Sequence, residues 1–239
     1  MFNKITHQYS CYKNQELLWL PSDTSWGYRH NLETRYQELV DNDWINKQFV
    51  YKFNSHGFRC DEFTEEDNAM FVGCSFTCCI GLPIEDTWPT IVSNNLNLKC
   101  VNLGIGGTGP DTAFRLANHY IPQLKPKIVV YVQPPPGRFS MLLRTGKYQE
   151  FNAGHLDQID PNFVKFYEQW VSTEENIELH SLKHRLAIQA LCQQYDIKFI
   201  YMKEIEYRKL DLARDLNHPG VKSNKELAIK VLNKINQNN

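Results

Sequence analysis

Over residues 1–65, apolar and polar positions follow no sustained period, and aromatics are scattered among polar side chains. Regularity begins with "AMFVGCS" (69–75), a short continuous apolar run that predicts a buried strand. "TWPTIVSNNLN" (87–97) predicts a helix, with Thr87 at the N-cap and Pro89 early, where proline is tolerated. "LKCVNLGIG" (98–106) predicts a second strand that ends in glycines. "PDTAFRLANHYIPQL" (110–124) follows as a helix, with Phe114, Leu116, Ala117 and Tyr120 as its apolar positions. "KIVVYVQ" (127–133) is rich in β-branched residues and predicts the third strand.

"PPPGRFS" then breaks the pattern, and about forty residues of weak periodicity follow. In "ENIELHSLKHRLAIQALCQQYD", Leu179, Leu182, Leu186, Ala190 and Leu191 form a stripe that predicts the inward face of a helix. "IKFIYMK" (197–203) predicts a fourth strand. The last helix is expected over "KSNKELAIKVLNKINQ", with Leu227, Ala228, Val231, Leu232 and Ile235 inward.

Strands alternating with helices imply an α/β fold, a central parallel sheet between two helix layers. In such sheets ligands bind beyond the carboxyl ends of the strands. Ser75, the glycines from Gly104 to Gly109, the segment from Gln133 to Arg138 and the residues after the fourth strand all fall at that edge. Residues 1–65 are expected to be an extension packed on the core, and 66–239 the main domain with an insertion at about 134–176. The aromatics of 139–176, among them Phe139, Phe151, Tyr167 and Trp170, are expected to cap the site.

A formal charge of -1 gives no electrostatic reason to expect a nucleic-acid partner. No apolar run approaches the roughly 20 residues of a membrane span. The start "MFNKITHQYSCYKNQ" lacks the apolar region of a signal peptide, so a cytoplasmic location is expected. The seven cysteines show no metal-type pairing, and Cys74, Cys78 and Cys79 are read as small buried thiols. No cofactor and no metal are expected.

Gly104-x-Gly106-x-x-Gly109 has dinucleotide-binding spacing. Such a turn usually follows the first strand of its sheet, with an acid about twenty residues on. Here another strand precedes it, and the next strand ends at Gln133. A tight structural turn is a second reading. In a third, the glycine amides face an oxyanion, and Ser75 on the neighbouring strand tip is the nucleophile, its own amide a further donor. A serine hydroxyl then needs a base. His7, His30 and His56 lie in the irregular start. Solvated helix faces account for His119, His180 and His184, and His155 stays open as a candidate within the insertion. His218, in "RDLNHPGV", lies at the functional edge, three residues after Asp215, so one turn can join carboxylate and ring. The competing reading makes Asp215 a loop cap and His218 a surface residue.

Taken together, the residues resemble the SGNH (GDSL-type) hydrolase superfamily over 70–239. "FVGCSFTCCIG" resembles its first block, Gly-Asp-Ser, with Ser75 at the nucleophile position and Cys74 in place of the aspartate. "VNLGIGGTGPD" resembles the second, with Gly107 at the oxyanion-hole glycine, and "DLNHPG" resembles the last, with Asp215 and His218 completing a triad. "FNSHGFRCDEF" (53–63) resembles a segment found upstream of the first block. The third block, Gly-x-Asn-Asp, is absent: the strand tip reads "VQPPPGRF", and Arg138 is expected to replace the missing asparagine, with Gln133 a weaker candidate. The resemblance implies a flavodoxin-like three-layer fold and a serine esterase acting on small-molecule or carbohydrate esters. Transfer of the acyl group to a sugar hydroxyl, or a non-catalytic binding protein on the same fold, are the alternatives.

Overall fold

The computed structural model describes residues 2–145, 148–203 and 206–237. Its centre is a sheet of four parallel strands, β3 (Asn68–Val72), β4 (Lys99–Asn102), β5 (Ile128–Val132) and β8 (Lys198–Met202), in the order β4-β3-β5-β8. The chain runs from β3 to one side, then crosses to the other for β5 and β8. That order, 2-1-3-4 within the sheet, is the flavodoxin-like variety of doubly wound fold, and its crevice opens where the winding reverses, between the first and third strands.

Alternate residues of each strand face opposite helix layers. On one side α5 (Pro110–Leu124) and α7 (Glu174–Gln194) cover Met70, Val72, Val129 and Tyr131. On the other, α4 (Trp88–Leu96) and α8 (Val221–Gln237) cover Phe71, Val130 and Val132. Burial on both faces is why these strands read as continuous apolar runs. The molecule is a three-layer α/β/α sandwich.

The expected inward stripe of α7 points the other way. Leu179, Leu182 and Leu186 are 59%, 41% and 48% exposed, whereas His180, Ser181, Ile188 and Cys192 are buried. The reading of His180 and His184 as solvated is corrected with it: both rings turn towards Asp111 on α5. The face of α7 that turns inward carries Ile188 and Cys192 into the core together with the two histidines that meet Asp111, and of the expected stripe only Leu191 packs there.

The N-terminal extension is more regular than its sequence pattern. A short hairpin joins β1 (Glu16–Leu17) and β2 (Tyr51–Lys52), and two helices, α1 (Ser25–Thr34) and α2 (Tyr36–Asp41), lie between them. Each helix has a single buried residue, Asn31 in α1 and Leu39 in α2, so no amphipathic period shows. Tyr9, Leu20, Tyr51, Phe53 and Phe58 enter the core under α5 and α7, and Leu39 and Trp44 the core under α4 and α8. After β5 comes a hairpin, β6 (Phe139–Leu142) with β7 (Tyr148–Phe151), then α6 (Pro161–Val171). This part has a small aromatic core of its own, Phe139, Phe151, Ile159 and Tyr167. Among the described residues no helix is long and apolar enough to cross a membrane.

Candidate active site

β3 ends at Val72, and after Gly73 and Cys74 the chain enters α3 (Ser75–Cys78), a single turn with Ser75 at its first position. One turn cannot stabilise itself, because nucleation fixes several residues for one hydrogen bond. Its carbonyls are therefore met from outside. Trp88 Nε1 donates to Phe76 O at 2.9 Å, Asn102 Nδ2 to Thr77 O at 2.8 Å, and Arg59 Nη1 to Cys78 O at 3.1 Å and Cys79 O at 2.7 Å. Arg59 also donates to Leu82 O and lies over the Tyr51 ring. A buried guanidinium against the last carbonyls of a helix is favoured by the sign of the helix dipole. Gly104 lets the loop after β4 press on this turn: a Cβ there would stand 2.4 Å from Cys78 N.

The cysteines of this turn are free and buried. Burial pushes the Cys78 thiol up to about 11 and that of Cys79 well above its ordinary value. Both are held as thiols, which are poor nucleophiles and poor metal ligands.

Asp215 and His218 sit in a loop closed by the Ala213 N to His218 O hydrogen bond of 2.8 Å. Asp215 Oδ1 accepts from the amides of Asn217 at 3.0 Å and His218 at 2.9 Å, and Oδ2 faces His218 Nδ1 at 2.5 Å. A carboxylate accepts, so Nδ1 carries the proton and the neutral ring keeps its lone pair on Nε2. Arg214 N donates to Gly81 O at 3.1 Å, tying this loop to the residues just past α3. The Arg214 side chain forms a buried ion pair with Asp23, and Asn31 Nδ2 and Arg35 Nη1 reach the carbonyls of Asp215 and Leu216 at 3.5 and 3.3 Å. The Phe76 ring meets the His218 imidazole edge-on at 6.0 Å and stacks on Tyr207.

Ser22, Ser75, Gly107, Arg138, Asn152, Tyr167 and His218 are among the residues that line one cleft of about 360 Å³. Among the described residues no direct hydrogen bond joins Ser75 to His218. Gly107 adopts φ +78°, a left-handed conformation that suits glycine, and the nearest atom to a Cβ placed there would be Asn152 Nδ2, at 3.9 Å. Gly106, in contrast, gives its amide to Tyr9 Oη at 2.9 Å. Arg138 follows a turn at Gly137, φ +79°, and its Nη1 is buried without a partner. Gln133 is turned to Tyr201 instead. The side chain of His155 lies outside the described residues.

Asn152 was not singled out by sequence. Its Nδ2 donates to Gly107 O at 3.2 Å and its Oδ1 accepts from Gly154 N at 3.1 Å, which fixes the amide and leaves one N–H for another acceptor. The signal was "FNAG" closing a strand-like run, but nothing in it says that a hairpin carries the asparagine back to the glycine loop.

No known family profile matches the chain, and no curated protein matches it. Among solved structures it is similar to an acetyl xylan esterase from the rumen bacterium Butyrivibrio proteoclasticus, at 12% identity and a TM-score of 0.45, over 80% of this chain and 66% of that one. It is also similar to a G-D-S-L family protein from Desulfitobacterium hafniense DCB-2, at 14% identity and a TM-score of 0.34, over 70% and 98% of the two chains. A third is the aryl esterase of M. smegmatis, at 10% identity and a TM-score of 0.36, over 72% and 99%.

Proposed function

We propose that the chain is a divergent SGNH-type serine hydrolase that cleaves ester bonds. The observation that carries this reading is the Asp215–His218 pair, whose ring has its free nitrogen on the side away from the carboxylate, in a cleft shared with Ser75. Ser75 Oγ attacks the ester carbonyl and His218 Nε2 takes its proton. Asp215 holds the tautomer and stabilises the imidazolium. The alkoxide leaves with that proton, and water, deprotonated by the same ring, releases the acyl group.

The tetrahedral oxyanion is met by the amides of Ser75 and Gly107, for which no acceptor is seen among the described residues. Asn152 Nδ2 and the Arg138 guanidinium supply further donors from the opposite wall. A serine and histidine without a direct bond are compatible with this chemistry, since such contacts often tighten only with substrate. At about 360 Å³ the cleft is near the lower end of ligand pockets, roughly 300 Å³, which suits a short acyl group on a polar alcohol such as a sugar.

The test is labelling with a fluorophosphonate, mapped by peptide mass. Adduct on Ser75, lost in Ser75→Ala, supports the reading, and hydrolysis of p-nitrophenyl esters should fall with acyl length. Folded protein that stays unlabelled at large reagent excess would favour the second reading, a binding protein that kept the fold, which the absent Gly-x-Asn-Asp block motivates.

A further inference from the structure

On the α5 and α7 side of the sheet, Asp111, His180 and His184 bring three ligand atoms within 4.8 Å of one another. We propose that this cluster is a binding site for a zinc-type divalent cation that fastens the root of the cap. The inference stands apart from the esterase reading, because no step of that chemistry uses these residues.

The geometry of His184 carries it. His184 Nδ1 lies 2.8 Å from the carbonyl oxygen of His180, one turn earlier on α7. A carbonyl only accepts, so Nδ1 bears the hydrogen, and in the neutral ring Nε2 has a bare lone pair. That nitrogen faces Asp111 Oδ1 at 3.4 Å, lone pair against carboxylate. The contact becomes favourable only with a positive charge between or upon the two atoms. A metal-binding histidine fixed through its other N–H by a backbone carbonyl is the usual outer-shell arrangement.

The remaining distances fit a shared cation. His180 Nε2 lies 3.0 Å from Asp111 Oδ2. Ligands about 2.0–2.1 Å from a tetrahedral zinc are about 3.3 Å apart, close to both separations. His180 and His184, four apart on one helix, present their rings on the same face, and two imidazoles with one carboxylate are the donor set zinc accepts with a fourth position left for water. All three side chains are mostly buried, yet Asp111 keeps 24% exposure, an entry path.

The position gives the site its role. Asp111 Oδ2 also accepts from the amide of Ser140, in the first strand of the cap hairpin, at 2.9 Å. The His180 ring packs edge-on against Trp170 of α6 at 5.3 Å. A cation here therefore joins α5 and α7 at the point where both cap elements are anchored, two residues beyond Arg138.

The experiment strips the full-length protein with a chelator and titrates it with Zn²⁺ by calorimetry and with Co²⁺ by visible absorption. One equivalent should bind, raise Tm, and give ligand-field bands of tetrahedral cobalt without the intense thiolate charge-transfer band a cysteine site would show. His184→Ala should lose more than the roughly 10–100-fold in affinity that removal of an outer-shell partner costs. Asp111→Asn should also weaken binding, and Cys74→Ala should leave it unchanged. Failure of the stripped wild type to take up either metal stoichiometrically overturns the proposal, as does a thiolate band or unchanged affinity in folded His184→Ala. If a variant does not fold, the wild-type stoichiometry and cobalt spectrum decide alone.

Discussion

The two walls of the cleft are built on different principles. The wall carrying Ser75 and His218 belongs to the sheet edge and is held by buried side chains from the N-terminal extension, among them Arg59, Asp23 and Trp44. The wall carrying Arg138 and Asn152 belongs to the segment after β5, with its own small core and few ties to the sheet beyond α5 and α7. The proposed serine and histidine are thus fixed by packing on one side, while the groups proposed to meet the substrate's oxygen lie on a segment with its own small core. Disturbing the first wall should damage stability as well as chemistry, and disturbing the second mainly chemistry.

The largest effect expected is at the centre of the fixed wall. Asp215→Asn keeps the shape but lets the ring settle in the wrong tautomer, and kcat should fall by roughly 10⁴ with little change in KM. Steady-state kinetics on a short-chain p-nitrophenyl ester checks it, and a fall below tenfold would break the triad assignment.

Arg59→Met should follow. It leaves the carbonyls of Cys78, Cys79 and Leu82 without their donor in a buried place, a loss of about 3 kcal/mol at roughly 1 kcal/mol or more per orphaned group. Calorimetry should show Tm lower by roughly 6–12 °C for a domain of this size. An unchanged Tm would mean that the one-turn helix needs no outside support.

On the second wall, Asn152→Ala and Arg138→Ala should each lower kcat by up to roughly 10² and leave Tm almost unmoved. Arg138→Lys should restore only part, because the planar fork is lost. Whichever variant falls further identifies the main donor. A drop in Tm comparable to that of Arg59→Met would erase the contrast between the walls.

The smallest effect is a slope. Glu150, in β7, is pushed up to about 7 by burial, although Thr112 donates to it at 2.9 Å. A carboxyl that protonates more readily folded than unfolded stabilises fully below its ordinary value of about 4.5, and that contribution is lost as pH rises to about 7. Tm of Glu150→Gln, compared with wild type at pH 5 and pH 8, should gain on it at the higher pH. Parallel profiles would remove Glu150 as the source.

The sheet was legible because its strands are buried on both faces and bounded by glycine and proline, as "KIVVYVQ" and "PPPGRFS" show. The approach of Asp215 to His218 was legible because both lie in one turn. What escaped was long-range. Nothing local in α7 tells that His180 and His184 turn to Asp111, and nothing in "FNAG" tells that a hairpin returns Asn152 to Gly107. The helices α1 and α2 escaped because each buries so little.

The clamp on the Asp215–His218 loop also bears on the order of events in synthesis. Asp23, Asn31, Arg35 and Trp44 leave the ribosome early, while their partners between Leu212 and Leu216 follow much later in the chain. Until that last stretch emerges, Asp23 has no Arg214, and Asn31, Arg35 and Trp44 lack the carbonyls they hold in the finished chain. Contacts so far apart in sequence form late and slowly. A nascent chain that ends before Arg214 therefore holds the serine turn without the histidine loop, and on the proposed reading any capacity for ester cleavage would report that synthesis has run through the final loop.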